Sequence, residues 1–434
     1  MMDESSSLAA AVRSQMPLAT RIFDAIRERT ADHVGITRPA WSSQDLAAAE
    51  IIAEAARELG LTVEWDLAGN LLCSLCGTDS DQPRILTGSH LDSVPTGGHY
   101  DGLAGVVAGI SVLAAFRQMD LQPACDITTI GLRGEESVWY GIAYIGSRLA
   151  VGTLPLEQLD ELRRGDTGRS LAEHMSDVGV DVDELRRAKG PTINSNNTRA
   201  FFELHIEQGP VLVGEGVSVG IPTTIRGNVR FPYAHCLGVY GHSGALPRAY
   251  RNDAALAAVE LVHTLDSFWI EQEAMGVPDT VFTVGKLFTD PTYHGMTKVP
   301  GRCDFTLNFG GTTKTFLDAC RERTVITAGD IAQKRRVEFE LGECVGSDPT
   351  PLDNQLRGVL ADKAESAGIQ IREFATVGHD ASIFARAGIP SAMVLVRNDK
   401  GSHNPDEAME MSDFADGSVV LAEGIVSLLG YDST

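Results

Sequence analysis

The sequence predicts an α/β protein, a central and mainly parallel sheet interrupted by a smaller α+β unit. Three observations predict it. The first third alternates short apolar or β-branched runs with segments of helical spacing, the stretch from about Leu212 to Cys344 changes rhythm, and the βα pattern returns after it. Strands separated by helix-length segments are the mark of βαβ units, which build parallel sheets covered on both faces. The expected division is 1–211 and 347–434 for the larger unit and 212–346 for the insertion.

In chain order, Ser43 reads as the N-cap of a helix through Leu59, with Leu46, Ile51, Ile52, Ala55 and Leu59 on one face and Gly60 closing it. Arg84–Ser89 and Asp126–Leu132 read as strands, with a helix from Leu103 to Phe116 between them. Leu156–Arg187 is charge-rich and is expected to be solvated surface. In the insertion, Asn228–Tyr240, Thr280–Leu287, Arg302–Phe309 and Arg336–Leu341 read as strands, and Asn252–Glu273 and Phe316–Ala332 as helices. That order is a small α+β sandwich. A helix near Leu356–Ala367, a strand Met393–Val396 and a final helix complete the larger unit.

The chain has 434 residues, enough for two or three domains. Lys plus Arg number 36 against 59 Asp plus Glu, a formal net charge of −23, which argues against nucleic-acid or anionic-membrane partners. No run approaches the ~18 apolar residues of a membrane-spanning helix. MMDESSSLAA lacks the basic-then-apolar pattern of a secretory signal, and Cys73, Cys76, Cys125, Cys236, Cys303, Cys320 and Cys344 are odd in number and scattered. Reduced thiols in a cytoplasm are the expectation.

Five short clusters concentrate histidine and carboxylate: TGSHLD at 87–92, GHYDG at 98–102, GEES at 134–137, ELHIEQGP at 203–210 and GSHNPDE at 401–407. Each falls at an expected strand-to-loop junction, where ligand sites of open α/β sheets gather. His90 and Asp92 are two apart, so on extended chain Asp92 is expected to accept from the His90 ring and fix its tautomer. Asp101 lies in a glycine-flanked turn at a helix head, where a carboxylate can bridge two cations. Glu135 and Glu136 are adjacent, so one can ligate while the other faces substrate. Imidazole with carboxylate suits Zn²⁺, Mn²⁺ or Co²⁺, and two such ions ~3.5–4 Å apart can polarise a carbonyl and hold a bridging hydroxide. His33, His174 and His263 read as surface or packing residues, and His99 and His235 as structural.

Together, TGSHLDSVPTGGHYDG, GEES, ELHIEQGP, HDA and SHNPDE resemble the amidase, hydantoinase and carbamoylase branch of the M20 peptidase group, from about Arg38 onward. The resemblance implies a di-metal catalytic domain interrupted by a lid domain that forms a homodimer, and a small-molecule substrate with a linear ureido, carbamoyl, formamido or related C–N bond. It implies that His90 and His205 hold one metal ion, Glu136 and His403 the other, and that Asp101 bridges. Glu135 becomes the general base, Asp92 the support of His90, and His242 in GHSGALP an oxyanion donor to the partner's site. Gln208, His379, Asp380 and Arg251 fall at substrate-facing or substrate-positioning places, with Arg251 and Asp253 matching an R-x-D that can also be structural.

The pattern departs from the family in the expected lid. Thr297 stands where an asparagine is usual, and Asn308 and Gly310 stand where an Asp-x-Arg ends a strand, the Arg gripping a substrate carboxylate. Arg226, Arg230, Arg248, Arg251 and Lys298 are the cations of this region that could replace it. An amidohydrolase with an atypical substrate is the leading expectation. An aminoacylase- or dipeptidase-like hydrolase and a catalytically inactive binding protein of the same fold are the alternatives.

Overall fold

The computed structural model describes residues 7–430. The chain forms two compact units, one reaching to Thr223 and resuming at Pro351, the other Thr224–Thr350. The insertion was expected from Leu212. Residues 212–223 instead belong to the larger unit, because Val219–Ile225 pairs antiparallel with Ser391–Val396 in its sheet.

The sheet of the larger unit runs Thr62–Trp65, Leu71–Leu75, Ile127–Leu132, Arg84–His90, Thr198–Ile206, Ser391–Val396, Val219–Ile225, and Ile371–Thr376 also pairs with the last. The middle four strands are parallel to one another, and antiparallel strands flank them. The central strand Thr198–Ile206 is buried at every position but Arg199, as a strand covered on both faces must be. One cover is the helix Leu103–Gln118, buried without a break from Leu103 to Phe116. Its apolar residues are not confined to one stripe, which suits a helix enclosed on all sides.

Two local expectations in this unit are corrected. Ser42, not Ser43, caps the helix Ser43–Glu58, its hydroxyl accepting the Asp45 N–H at 3.2 Å. The charged stretch 156–187 is not merely solvated surface. Its helices Gln158–Glu161, Leu171–Asp177 and Val182–Arg187 bury Leu159, Leu171, Met175 and Leu185 in a second core around Trp41, Trp139 and Tyr140. The charges lie outward and pair with each other, Arg186 with Asp160 at 2.7 Å and Arg169 with Asp177 at 2.6 Å. His174, expected on a surface or in packing, is buried there with its Nε2 2.8 Å from the Thr167 hydroxyl.

In the smaller unit the sheet order is Leu287–Thr289, Arg302–Gly311, Gly227–Leu237, Glu338–Glu340. Cys303, Phe305, Leu307 and Phe309 alternate inward and share one core with the helices Ala254–Ala274 and Lys314–Arg335. The strand expected over Thr280–Leu287 is two short ones, Val281–Thr283 and Leu287–Thr289. A bulge between Phe305 and Leu307 in their common partner separates them, with the Lys286 N–H turned to the Thr306 hydroxyl at 3.0 Å.

The described cysteines are all free; Cys73 is buried in its strand and Cys76 lies exposed beyond it. No helix among the described residues is long and apolar enough to cross a membrane.

Candidate metal centre

The clusters meet at the carboxyl ends of the parallel strands, within the larger unit. His90 ends its strand and Asp101 precedes the buried helix. Glu135 and Glu136 follow Ile127–Leu132, His205 sits near the end of Thr198–Ile206, and His403 lies in the loop after Ser391–Val396. Two trios have ligand atoms within 4.8 Å of one another: His90, Asp101 and His205, and Asp101, Glu136 and His403. Asp101 belongs to both. Its Oδ1 lies 3.4 Å from His90 Nε2 and 3.2 Å from His205 Nε2, and its Oδ2 lies 3.4 Å from His403 Nε2. His403 Nε2 is also 3.3 Å from Glu136 Oε1.

The ring hydrogen bonds set what these atoms offer. His90 Nδ1 is 2.9 Å from the Asp92 carbonyl and His205 Nδ1 is 2.9 Å from the Ile206 carbonyl. A carbonyl only accepts, so both Nδ1 atoms carry hydrogen, and the neutral rings direct the Nε2 lone pair at Asp101. The Gly102 N–H, 3.1 Å from His205 Nε2, is a donor to that lone pair. Gly102 has φ +68°, and a Cβ there would lie 2.4 Å from the His90 ring, so this turn needs glycine twice over. Asp101 Oδ1 is buried and, the two imidazole nitrogens apart, has no hydrogen-bond partner among the described residues. With both rings neutral, lone pairs of two imidazoles and a carboxylate converge on one another, an arrangement that positive charge between them relieves; against burial, the Asp101 carboxylate raises both imidazoles above their usual range. The same field acts on His403, whose imidazole the Asp101 and Glu136 carboxylates hold up, to about 10. The residues present form two groups that fit metal binding.

Asp92 is corrected. Its carboxylate stands 3.8 Å from the His90 ring nitrogen, and the backbone carbonyl takes that ring's hydrogen bond instead. The carboxylate accepts the N–H groups of Gly134, Glu135 and Glu136 at 2.8, 3.1 and 3.2 Å. Burial pushes the Glu135 carboxyl well above the usual range; Glu136 and Asp380 push the same way, while His90 opposes.

The residues expected to face substrate lie at or beside the centre. Gln208 has φ +65° and turns its amide onto Asp101 Oδ2, Nε2 donating at 2.9 Å. His379 is buried against His205 with ring centroids 4.4 Å apart, and its Nε2 is 3.1 Å from the Thr376 hydroxyl. Burial, with His205 adjacent, holds it well below the usual imidazole range. Asp380 accepts from the buried Ser147 hydroxyl, and burial beside Glu203 raises its carboxyl to about 7. Both are buried, His379 against His205 and Asp380 on Ser147.

Sequence reasoning left three buried groups without a role. Glu203 accepts from the Ser89 hydroxyl at 2.7 Å and the Ala381 N–H at 2.8 Å, tying the strand before His90 to the segment after Asp380. It is two residues before His205, so strand alternation could have placed it on the same face. Arg38 is fully buried, its Nε donating to the Leu91 carbonyl at 2.7 Å. Glu407, at the end of GSHNPDE, accepts backbone N–H groups around Asp101.

The smaller unit holds the remaining expected residues. His242 is exposed, and its Nδ1 accepts the Gly244 N–H at 3.2 Å, so in the neutral ring Nε2 carries the hydrogen and is a donor. Arg251, expected near substrate, is engaged with the backbone, donating to the carbonyls of Leu246 at 2.9 Å and Ser243. Arg226 donates to the Asp279 carbonyl at 3.0 Å, Arg230 to Asn308 at 2.9 Å and Lys298 to the Tyr293 carbonyl at 3.1 Å. Of the five candidate cations only the exposed Arg248 has no side-chain hydrogen bond or ion pair among the described residues.

The sequence profile of peptidase family M20/M25/M40 matches residues 86–426. The chain is 33% identical over 391 residues to an N-carbamoyl-L-amino acid amidohydrolase of Geobacillus stearothermophilus, covering 89% of this chain and 92% of that one. It is 30% identical over 403 residues to a ureidoglycolate hydrolase of Arabidopsis thaliana, covering 91% and 82%. The solved structure of a hydantoinase/carbamoylase family amidase from Burkholderia multivorans overlays with a TM-score of 0.86 at 27% identity, covering 95% of this chain and 97% of that one.

Proposed function

The chain belongs to peptidase family M20/M25/M40, and from that premise we propose that it is a metal-dependent amidohydrolase cleaving a linear C–N bond of a small molecule. The observation that carries the reading is the shared carboxylate: Asp101 completes one trio with His90 and His205 and a second with Glu136 and His403. These five residues would hold two divalent ions, of Zn²⁺, Mn²⁺ or Co²⁺ by their nitrogen and oxygen donors. When bound, such a pair lowers the pKa of water and polarises a carbonyl.

The chain's own groups handle the protons. Glu135 sits beside Glu136 with a carboxyl held above its usual range, the property of a base that accepts a proton from water and returns it to the leaving nitrogen. Asp92 fixes the Glu135 backbone, and Gln208 orients Asp101. His242, with Nε2 as donor, is assigned the developing negative oxygen.

The substrate reading follows from the smaller unit. Gly310 replaces an arginine that would grip a carboxylate, and a Cβ there would lie 3.3 Å from the Val281 side chain. With four of the five nearby cations engaged, Arg248 is the replacement if the substrate carries that carboxylate. A homodimer through the smaller unit is part of the proposal, supported by exposed Val259, Leu287 and Phe288 around a cavity of about 370 Å³. Seven free thiols suit a reducing cytoplasm.

The test is product mass on a panel of N-carbamoyl, N-formyl and N-acyl amino acids and neutral amides, with each metal and with Glu135→Gln as the blank. Release of ammonia and CO₂ from a ureido group supports the proposal. A carboxylic acid released only from N-acyl compounds would favour an aminoacylase instead, and no turnover by a metal-loaded dimer would sink it.

A further inference from the structure

Resting on the metal reading above, we propose that Glu407 is a positioning residue that sets the geometry of Asp101 and His403. Its carboxylate is buried, and it grips two loops that are remote in sequence. Oε1 accepts the N–H of Tyr100 at 2.7 Å and of Asp101 at 3.3 Å. The Ser402 hydroxyl lies 2.8 Å from Oε2 and 2.5 Å from Asp101 Oδ2, its one proton held between the two carboxylates. One side chain therefore fixes the backbone of Asp101 and, through Ser402, both its carboxylate and the residue before His403.

Two further features show that the fold is arranged around this carboxylate. A Cβ on Gly98 would lie 2.1 Å from the Glu407 carboxyl carbon and 2.3 and 2.4 Å from its oxygens. The first glycine of GHYDG is thus the space into which Glu407 fits. The second feature is the His403 loop, where Lys400, Gly401 and His403 have φ of +65°, +71° and +60°. For the two non-glycine residues this left-handed backbone costs about 1 kcal/mol or more each, so it persists only where its surroundings hold it. Asn404 supports the loop by donating to the Lys400 and Ser402 carbonyls at 2.9 and 3.1 Å. Glu407 ties it to the Tyr100–Asp101 backbone, beside the Ser402 hydroxyl's own contact with Asp101 and the Asn398 amide's bond to the Gly401 carbonyl at 2.7 Å. Without that carboxylate the turn loses one of its attachments, and His403 Nε2 is held less firmly in its place 3.3 Å from Glu136 and 3.4 Å from Asp101.

A group that only stabilised the fold would lower thermal stability and leave metal affinity of the folded protein alone. The experiment therefore measures both, on full-length protein stripped by chelator and titrated with Zn²⁺ against a chromophoric chelator, alongside the melting temperature of the metal-free form. The wild type is expected to take up two ions. Glu407→Ala should keep one and bind the other 10- to 100-fold more weakly, the usual effect of losing a partner behind a ligand, with kcat falling more than KM rises. Glu407→Gln should recover most of the affinity, because its oxygen still accepts both N–H groups and its amide can donate to Ser402. Gly98→Ala, which displaces the carboxyl, and Ser402→Ala, which cuts the link, should each weaken the same ion and decide the matter if Glu407→Ala does not fold. A wild type that takes up no ion overturns the metal reading and this inference with it. A wild type that takes up two, with variants that bind both equally well, overturns this inference alone, as does a Gln variant no better than Ala.

Discussion

The Asp92 carboxylate accepts the backbone N–H of Glu135 at 3.1 Å, while the Asp92 carbonyl takes the ring hydrogen bond of His90 at 2.9 Å. One residue thus supports an expected ligand with its main chain and the expected base with its side chain. The two functions separate on mutation. Asp92→Asn keeps the carbonyl but presents an amide NH₂ toward one of three N–H donors. We expect kcat to fall about 10- to 100-fold, the scale for partners behind a functional group, with the metal content of the folded protein unchanged. Loss of the His90 metal in this variant would show that the carboxylate supports the ring after all.

How much of this was legible in the sequence varies with the kind of inference needed. The grouping of His90, Asp101, Glu136, His205 and His403 follows from clusters at strand ends, because a parallel sheet brings such ends together whatever the intervening loops do. The direction of Asp92 does not follow. Two-residue spacing puts side chains on one face only while the chain stays in a strand, and this strand ends at His90. The contact of Gln208 with Asp101 was not legible for a similar reason: its positive φ turns the amide onto that carboxylate, and no propensity announces this in a non-glycine residue. Glu407 was visible as a letter in GSHNPDE, but its role depends on the GHYDG turn meeting it across the fold. The charged stretch 156–187 misled because its charges are dense and its apolar residues sparse, yet those few are enough to close a small core on Trp41 and Trp139.

His174 gives that core a pH dependence. Burial, reinforced by Arg164 and Arg169, lowers its pKa below the ordinary value of 6.5. The unfolded chain therefore takes up a proton at a higher pH than the folded one. Its contribution is fully present above the unfolded pKa and is lost as pH falls through the folded one, at no more than ~1.4 kcal/mol per pH unit. Denaturant unfolding from pH 7.5 to 5 should show this slope in the wild type and a shallower one in His174→Gln. Equal slopes would mean that other groups dominate.

Arg248 and Arg251 should fail in different ways. Arg251 donates to the carbonyls of Leu246 and Ser243 and so holds the turn that carries His242, whereas the Arg248 guanidinium is exposed without a partner among the described residues. If Arg248 grips a substrate carboxylate, Arg248→Ala removes a charge-assisted bond of ~1.5–3 kcal/mol, about 10- to 100-fold in KM for carboxylate-bearing substrates, with kcat nearly unchanged. Arg251→Ala should lower the melting temperature. Unchanged KM in Arg248→Ala would exclude it and direct attention to substrates without that carboxylate.

The edge of the smaller sheet bears on assembly. Leu287–Thr289 is the terminal strand among the described residues, and with Leu287 43% and Phe288 49% exposed beside Val259, 50% exposed, it presents apolar side chains at the open edge of the sheet. Monomeric proteins blunt such edges with charge, proline or cover, because an open apolar edge pairs with any equivalent strand. A second copy related by a two-fold axis offers an identical edge in antiparallel register and buries both patches at once. We expect the wild type to sediment at twice the chain mass at micromolar concentration. Val259→Asp with Phe288→Asp should shift it to the monomer, because each introduced carboxylate would lose its hydration and face its own symmetry mate. A wild type that sediments as a monomer, or a double variant that stays dimeric, would place any association elsewhere.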